Sequence, residues 1–497
     1  MNYSKILFLV VLVINSCSIN KNRNRFSENK NHSLDENVKD KFCFIFIDDE
    51  KSTYDKNFYD AAIDVCEELN VEPIIKTNIG EDEICYNTAK ELAQAGCKGI
   101  FANSFGHESN LIRAAKEFKN IEFGHATGNQ AHKEKLDNFH NAFASIYEGR
   151  YVTGIAAGMK LNEMIEKGEI KKSEAKVGYI GAFPYAEVIS GYSAFYLGIK
   201  SVCDSATMIV RYSNSWYDEE GEKNLAEKLI DEDKCKIISQ HADSQGAPSV
   251  CESRGIPNVF YNGENESNKK SYLISSRINW RPYFRYFINN TLNGKKMGYD
   301  WTGNLQDGAV EIYDASDIAA KGTQDAINKA IEDLKEKKLK VFDTSKFTVN
   351  GKPVTSYKIE GDKELISDGY FHESEYISAP SFDLKIDGIT VITDDEKDTS
   401  ETDTSTDSTS DIIVPNSTNY TIYRRHKDSG LSAGAICAII IPLCVALLAA
   451  TILAFICKSG TSGPSTIANT PMPNQNVVDS QYNFPIKTQT QNIINSL

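Results

Sequence analysis

KFCFIFIDDEKSTYDKNFYDAAIDVCEELNVEPII, residues 41–75, decides the fold class. Phe42 to Ile47 is an unbroken apolar run of strand length. Phe58, Ala61, Ala62, Val65 and Leu69 then recur at helical spacing before a second apolar run, Val71 to Ile75. A strand that is apolar on both faces has no side to give to water, so it belongs in a parallel sheet covered by helices on both faces. The unit repeats: Gly99 to Ala102, Ile121 to His125, Val177 to Phe183, Met208 to Tyr212, Ile237 to Gln240 and Val259 to Tyr261 read as further strands, with helical patterns between them. Such alternation predicts an α/β protein with parallel sheets. The units are too many for one compact sheet, which gives two doubly wound, Rossmann-like lobes. Each turns the carboxyl ends of its strands, where open α/β sheets take ligands, toward a shared cleft.

Outward from this core the chain changes character. Lys5 precedes an apolar run from Ile6 to Ile14 that is too short to span a bilayer, so residues 1–20 read as a signal peptide and 21–40 as a polar leader. Residues 41–392 form the bilobed domain. Asp, Glu, Ser and Thr dominate Asp394 to Asp411 with few apolar residues, which makes 393–430 a disordered stalk. Leu431 to Cys457 carries no charged residue and is long enough to cross the hydrocarbon core, so it reads as a transmembrane helix, with 458–497 as a disordered cytoplasmic tail. This order implies a single-pass type I protein at the cell membrane with its ectodomain outside. Arg424, Arg425, His426 and Lys427 sit on the outer side of the helix, against the positive-inside tendency, and the signal peptide decides the orientation. Sequons at Asn31, Asn265, Asn289, Asn416 and Asn419 all precede the helix and mark a glycoprotein. A competing reading makes Cys17 a lipidated cysteine after Ile14-Asn15-Ser16.

The candidate ligand contacts are the residues that follow each strand. Aromatic side chains recur there (Tyr54, Phe105, Phe183, Trp216 and Tyr261) beside short polar groups, the combination that fixes a planar polar solute. Several of these segments stand in one order: Asn103-Ser104-Phe105-Gly106, His125-Ala126-Thr127-Gly128, Tyr147-Glu148-Gly149-Arg150-Tyr151, Gly178 to Pro184 with Glu187-Val188, Asn214 to Asp218, Gln240 to Ser244, Asn279-Trp280 and Trp301-Thr302-Gly303. In them the chain resembles the basic membrane lipoprotein (BMP) family of ABC-transporter substrate-binding proteins, which includes bacterial purine nucleoside receptors. The resemblance implies a class I periplasmic-binding-protein fold, two lobes joined by three crossovers, over roughly Lys41 to Ile392. It implies that Tyr54 and Trp216 sandwich a purine base, that Asp55 is the polar neighbour of the first, and that Phe105, Phe183, His241 and Asp243 line the cleft. Where nucleoside-binding members have an Asp that grips ribose hydroxyls, this chain has Asn262, and it has Ile278 in place of a Lys or Trp. Ribose is therefore less well provided for than the base.

Other classes find less support. A net charge of -15 with no Lys/Arg block argues against nucleic acid. No G-x-S-x-G, H-E-x-x-H, Walker or G-x-G-x-x-G motif is present, so no enzyme and no cofactor are expected. Convergence of His107, His125 and His241 on one metal is the rival to an organic ligand. Seven cysteines lie in the ectodomain, an odd number without metal-like spacing, so at least one is free. The sequence therefore predicts a membrane-anchored binding protein for a small molecule, a purine nucleoside or nucleobase, with a membrane transporter or signalling partner. The alternative is a cell-surface adhesin that reuses the scaffold.

Overall fold

The computed structural model describes residues 39–393, apart from 266 and 360. The expected signal peptide, stalk, transmembrane helix and tail lie outside the described residues, as does the leader up to residue 38. Among the described residues, no helix is long and apolar enough to cross a membrane.

Lobe 1 begins with β1 (Lys41–Ile45), α1 (Thr53–Glu68), β2 (Glu72–Lys76), α2 (Glu83–Gln94), β3 (Cys97–Ala102), α3 (Glu108–Glu117), β4 (Glu122–Ala126), α4 (Ala131–Glu134) and β5 (Phe139–Ala144). The chain then crosses to lobe 2 for α5 (Ile146–Glu166), β6 (Lys176–Gly181), α6 (Ala186–Lys200), β7 (Thr207–Tyr212), α7 (Glu219–Asp231), β8 (Ile237–His241), α8 (Gly246–Arg254), β9 (Asn258–Tyr261) and β10 (Tyr272–Ile278). It returns to lobe 1 for α9 (Arg281–Leu292) and β11 (Asp300–Gly303), and crosses a third time to β12 (Val310–Ile312) and α10 (Thr323–Lys335). The sheet of lobe 1 runs β11-β5-β4-β3-β1-β2 and is parallel throughout. That of lobe 2 runs β12-β10-β9-β8-β6-β7, and the last strand of the described chain, Ile389–Ile392, adds at the β7 edge. Here the expectation of purely parallel pairing is corrected: β12 runs antiparallel to β10. It enters from the third crossover, travelling away from the hinge, and an edge position accepts either direction.

The segment after α10 is an addition to both lobes. It forms two short hairpins, β13 (Lys358–Ile359) with β14 (Lys363–Glu364) and β15 (Ile366–Ser367) with β16 (Tyr370–Phe371). Phe342 stacks on Phe382 with ring centroids 4.1 Å apart, and Phe347 and Phe371 close around them. Beyond the hairpins Ser378 bonds to Asn141 of β5 and Asp300 of β11. The chain then ends as β17 (Ile389–Ile392), parallel to β7. It thus binds the sheet edge of each lobe.

Helix α5 packs on α6 so closely that a Cβ on Gly154 would stand 2.1 Å from the Phe195 carbonyl oxygen, and one on Gly198 2.0 Å from that of Tyr151. Only glycine permits that approach. Among the cysteines, Cys43 and Cys97 join β1 to its neighbour β3 in a disulfide, and Cys66, Cys85, Cys203, Cys235 and Cys251 are free and buried. Asn265 is buried and its Oδ1 accepts from the Ser267 and Asn268 N–H groups, so that sequon is not presented to solvent, whereas Asn289 is exposed on α9.

Candidate functional site

The carboxyl ends of both sheets face one another, and their loops build the cleft. Lobe 1 supplies the first turn of α1, the Asn103 to Phe105 turn after β3, and Thr127 after β4. Lobe 2 supplies Phe183 to Glu187, Asn214 to Trp216, His241 to Asp243, and Tyr261 with Asn262. Three strand ends turn through the left-handed region, at Thr127 (φ 65°), Asn214 (φ 55°) and Asn262 (φ 59°). For the β-branched Thr127 this is costly backbone, of a kind that collects at ligand sites.

An aromatic wall runs along the cleft. Phe105 at the mouth faces Tyr185 across the lobes at 6.5 Å between ring centroids. Tyr185 stacks on Phe183 (5.1 Å), Phe183 meets Trp216 edge-on (5.7 Å), Trp216 lies 6.3 Å from His241, and His241 lies 4.3 Å from Tyr261. Tyr54 stands on the lobe 1 side, with its hydroxyl donating to the Asn103 carbonyl (2.6 Å) and its ring edge-on to Phe58.

The polar groups are held by their own lobes and retain free valences. Ser52 caps α1 by accepting from the Asp55 N–H. Asp55 Oδ1 accepts from Asn103 Nδ2 (2.7 Å) and the Asp48 N–H, while its buried Oδ2 has no hydrogen-bond partner. Burial pushes this carboxyl up to about 6, against the pull of those hydrogen bonds. Asp243 donates its N–H to the Trp216 carbonyl (2.8 Å), and its Oδ1 is likewise buried and unpartnered. Burial first, then the charge of Asp55, holds the Asp243 carboxyl well above the usual range. His241 approaches Tyr179 Oη through Nδ1 (3.4 Å), and its unpartnered Nε2 is 3.9 Å from Glu187. Beneath it Arg150, fully buried, donates to Tyr179 Oη and the Gln240 carbonyl and lies against the Tyr261 ring.

Of the residues singled out from the sequence, Tyr54, Asp55, Phe105, Phe183, Trp216, His241 and Asp243 come together here. Asn262 comes too, but its Oδ1 is already committed, to Asn57 Nδ2 of the other lobe (2.9 Å) and to the Ile278 N–H (3.0 Å), leaving only Nδ2 unpartnered. It is a latch between lobes and a brace for the second crossover before it is a ligand contact. The three histidines do not converge. His107 uses its nitrogens on the Ile79 carbonyl and the Ser104 N–H, and His125 uses its own on Asn141 and the Ser104 carbonyl. Asn103 and Tyr185 lie in the segments after β3 and β6 that the sequence marked for the cleft. Asn57 was not singled out: it lies in α1, well beyond the end of β1, and no local pattern marks it.

Two facing Rossmann-like lobes, three crossovers and a cleft lined from both sheets define a bilobed, periplasmic-binding-protein-like fold. The chain belongs to the ABC transporter substrate-binding protein PnrA-like (Bmp) family, whose model matches residues 46–345. It is similar to a purine-binding protein of Brucella abortus, 32% identical over 243 residues that cover 49% of this chain and 65% of that protein. It is also similar to a putative ABC transporter glucose-binding protein of Haloferax volcanii, 27% identical over 259 residues, 52% of this chain and 62% of that one. The chain thus spans a little under two thirds of the length of each of these curated relatives. Among solved structures it resembles a solute-binding protein of Conexibacter woesei (TM-score 0.50, 15% identity, covering 61% of this chain and 98% of that one). A transcriptional activator of the comK gene from Bacillus halodurans is comparable (TM-score 0.51, 18% identity, 60% and 99%). At such identities these two speak for the fold alone.

Proposed function

We propose that this solute-binding protein captures a purine base or nucleoside between its lobes. The observation that carries the reading is the pairing of an aromatic wall, Phe183 and Trp216 opposite Tyr54, with buried polar atoms that have no hydrogen-bond partner: Asp55 Oδ2, Asp243 Oδ1, His241 Nε2 and Asn262 Nδ2. Leaving a buried polar atom unpaired costs about 1–3 kcal/mol, a cost that a heteroaromatic solute with edge donors and acceptors would remove. The similarity to a purine-binding relative points the same way. Calorimetric titration of the full-length protein with purine bases and nucleosides tests it. Trp216→Ala and Tyr54→Ala each remove one stacking face worth about 1–3 kcal/mol, so affinity should fall roughly 5- to 150-fold with folding intact. Unchanged affinity in both variants would overturn the reading.

A further inference from the structure

Carboxylic acids from both lobes meet at the foot of the aromatic wall. Asp55 stands on α1 of lobe 1; Asp243 and Glu187 follow β8 and β6 of lobe 2. Asp55 and Asp243 are only 1% and 7% exposed, and each keeps one buried oxygen without a hydrogen-bond partner, while His241 Nε2 lies 3.9 Å from Glu187. The charges that act most on Asp243 are those of Asp55, Glu222, Glu187 and Asp48, all of one sign. The remaining titratable groups around it do not balance them. Burial and the charge of Arg150 lower the His241 imidazole against the pull of Glu187, which disfavours a positive charge there, and Tyr54 and Tyr261 are held protonated. Arg150 lies behind the floor, given to Tyr179 and Gln240, and Lys51 stays at the mouth, paired with Asp49.

Ionised carboxylates from two lobes are not shut away from water together without a compensating positive charge. A carboxyl that keeps its proton meets that condition. It then offers one O–H donor beside one carbonyl acceptor, the two-point complement of a heterocycle edge that places an acceptor next to an N–H. A phosphate or a carboxylate offers acceptors only and adds to the negative charge.

We propose that Asp243 is the specificity-determining residue of the cleft, pairing as a neutral acid with the donor–acceptor edge of an uncharged heterocycle, excluding anionic solutes such as nucleotides, and making capture a proton-uptake step. This rests on the purine reading and deepens it. The sign follows from linkage. Carboxyls that bind protons more tightly in the closed cleft than in the open one favour closure at low pH, and affinity falls as pH rises. For Asp55 the window runs from about 4, its ordinary value, to about 6, and Asp243, held well above the usual carboxylate range by burial, acts with the same sign.

The test is calorimetric titration of the full-length protein with adenine, hypoxanthine, adenosine and adenosine monophosphate at pH 5.5 and 8, in two buffers of different protonation enthalpy. The uncharged solutes should bind more tightly at pH 5.5, by up to roughly tenfold per pH unit for each proton taken up, with a buffer-dependent heat that reports the uptake. The monophosphate should bind at least about 100-fold more weakly than adenosine. Asp243→Asn keeps a donor beside an acceptor, and should bind within about threefold of the parent at pH 5.5 with a flatter pH dependence; Asp243→Leu should lose about 100-fold. Purine binding that is independent of pH and buffer, or a monophosphate bound as tightly as adenosine, would overturn the inference while the purine reading stands. Absence of all purine binding would instead remove that reading, and the inference with it.

Discussion

Asn262 shows how a single side chain divides its work. Its Oδ1 ties lobe 2 to Asn57 of lobe 1 and to the backbone of the second crossover, and its Nδ2 remains for the cleft. Asn262→Asp keeps both acceptor bonds through one oxygen and puts a second acceptor where the amide donor stood. Ribose hydroxyls can donate to it, and a hydrogen bond to a charged group contributes about 1.5–3 kcal/mol. The ratio of nucleoside to free-base affinity should therefore rise by at least about tenfold, read by titration with adenosine and adenine. If both affinities fall together, Asn262 serves only as a latch. At this scale the sequence was legible for position and much less so for task. Parallel strands carry Trp216, His241 and Asp243 to the cleft whatever their roles. Which oxygen of Asp55 or Asn262 is already taken depends on the pairings with Asn103 and Asn57, which folding sets and no local pattern announces.

Among the elements, those with an apolar run bounded by helical patterns, β1, β3 from Gly99 onward and β6, could be read directly, and β8 from Ile237 and Ile238 before its polar end. β5 is fully buried, yet its residues 139–144 include His140 and Asn141, which break the apolar run that marks a buried strand. They are tolerated because His140 bonds to Glu122 and the Gly298 carbonyl, and Asn141 to Ser378 and the turn at Gly128. Gly298 and Ser378 lie far away in the chain, as do the partners of β11 and β17, so no local period announces them. The Cys43–Cys97 bridge between β1 and β3 has the same character: spacing alone could not select that pair. It closes a segment of 54 residues in sequence, and removing such a cross-link frees the unfolded chain. Replacing both cysteines by Ala should cost about 2–4 kcal/mol of stability in denaturant unfolding. Purine affinity should be unchanged, because the bridge lies in the sheet away from the carboxyl ends of the strands, where the cleft is built.

Over the whole molecule the buried carboxylates form a distributed system, and its effect on stability has a definite sign. Glu148 accepts from the Leu305 N–H and so links the first crossover to the third, Glu373 accepts from Ser381 and Phe382 in the C-terminal segment, and Glu222 lies in α7. Burial is the leading cause in each and raises each to about 7, with Asp55 at about 6 and Asp243 held well above the usual carboxylate range. A carboxyl raised on folding makes the native state bind more protons than the unfolded one, so its contribution is complete at low pH and is lost as pH rises through the folded value. The buried histidines act oppositely. Burial lowers His107 and His125 to about 4, so the unfolded state binds the extra protons between about 4 and 6.5, and stability gains with pH there. Below about 6.5 the two sets oppose each other; above it the histidines are neutral in both states and the carboxylates act alone. Scanning calorimetry of the unliganded protein should accordingly find a shallow dependence from pH 5 to 6.5 and a fall of at least about 3 °C in melting temperature from 6.5 to 8. Glu373→Gln, which stays neutral at every pH, should make that fall smaller. A melting temperature that rises between pH 6.5 and 8 would mean that these carboxylates ionise freely in the native state and that the interior is far better hydrated than its packing implies.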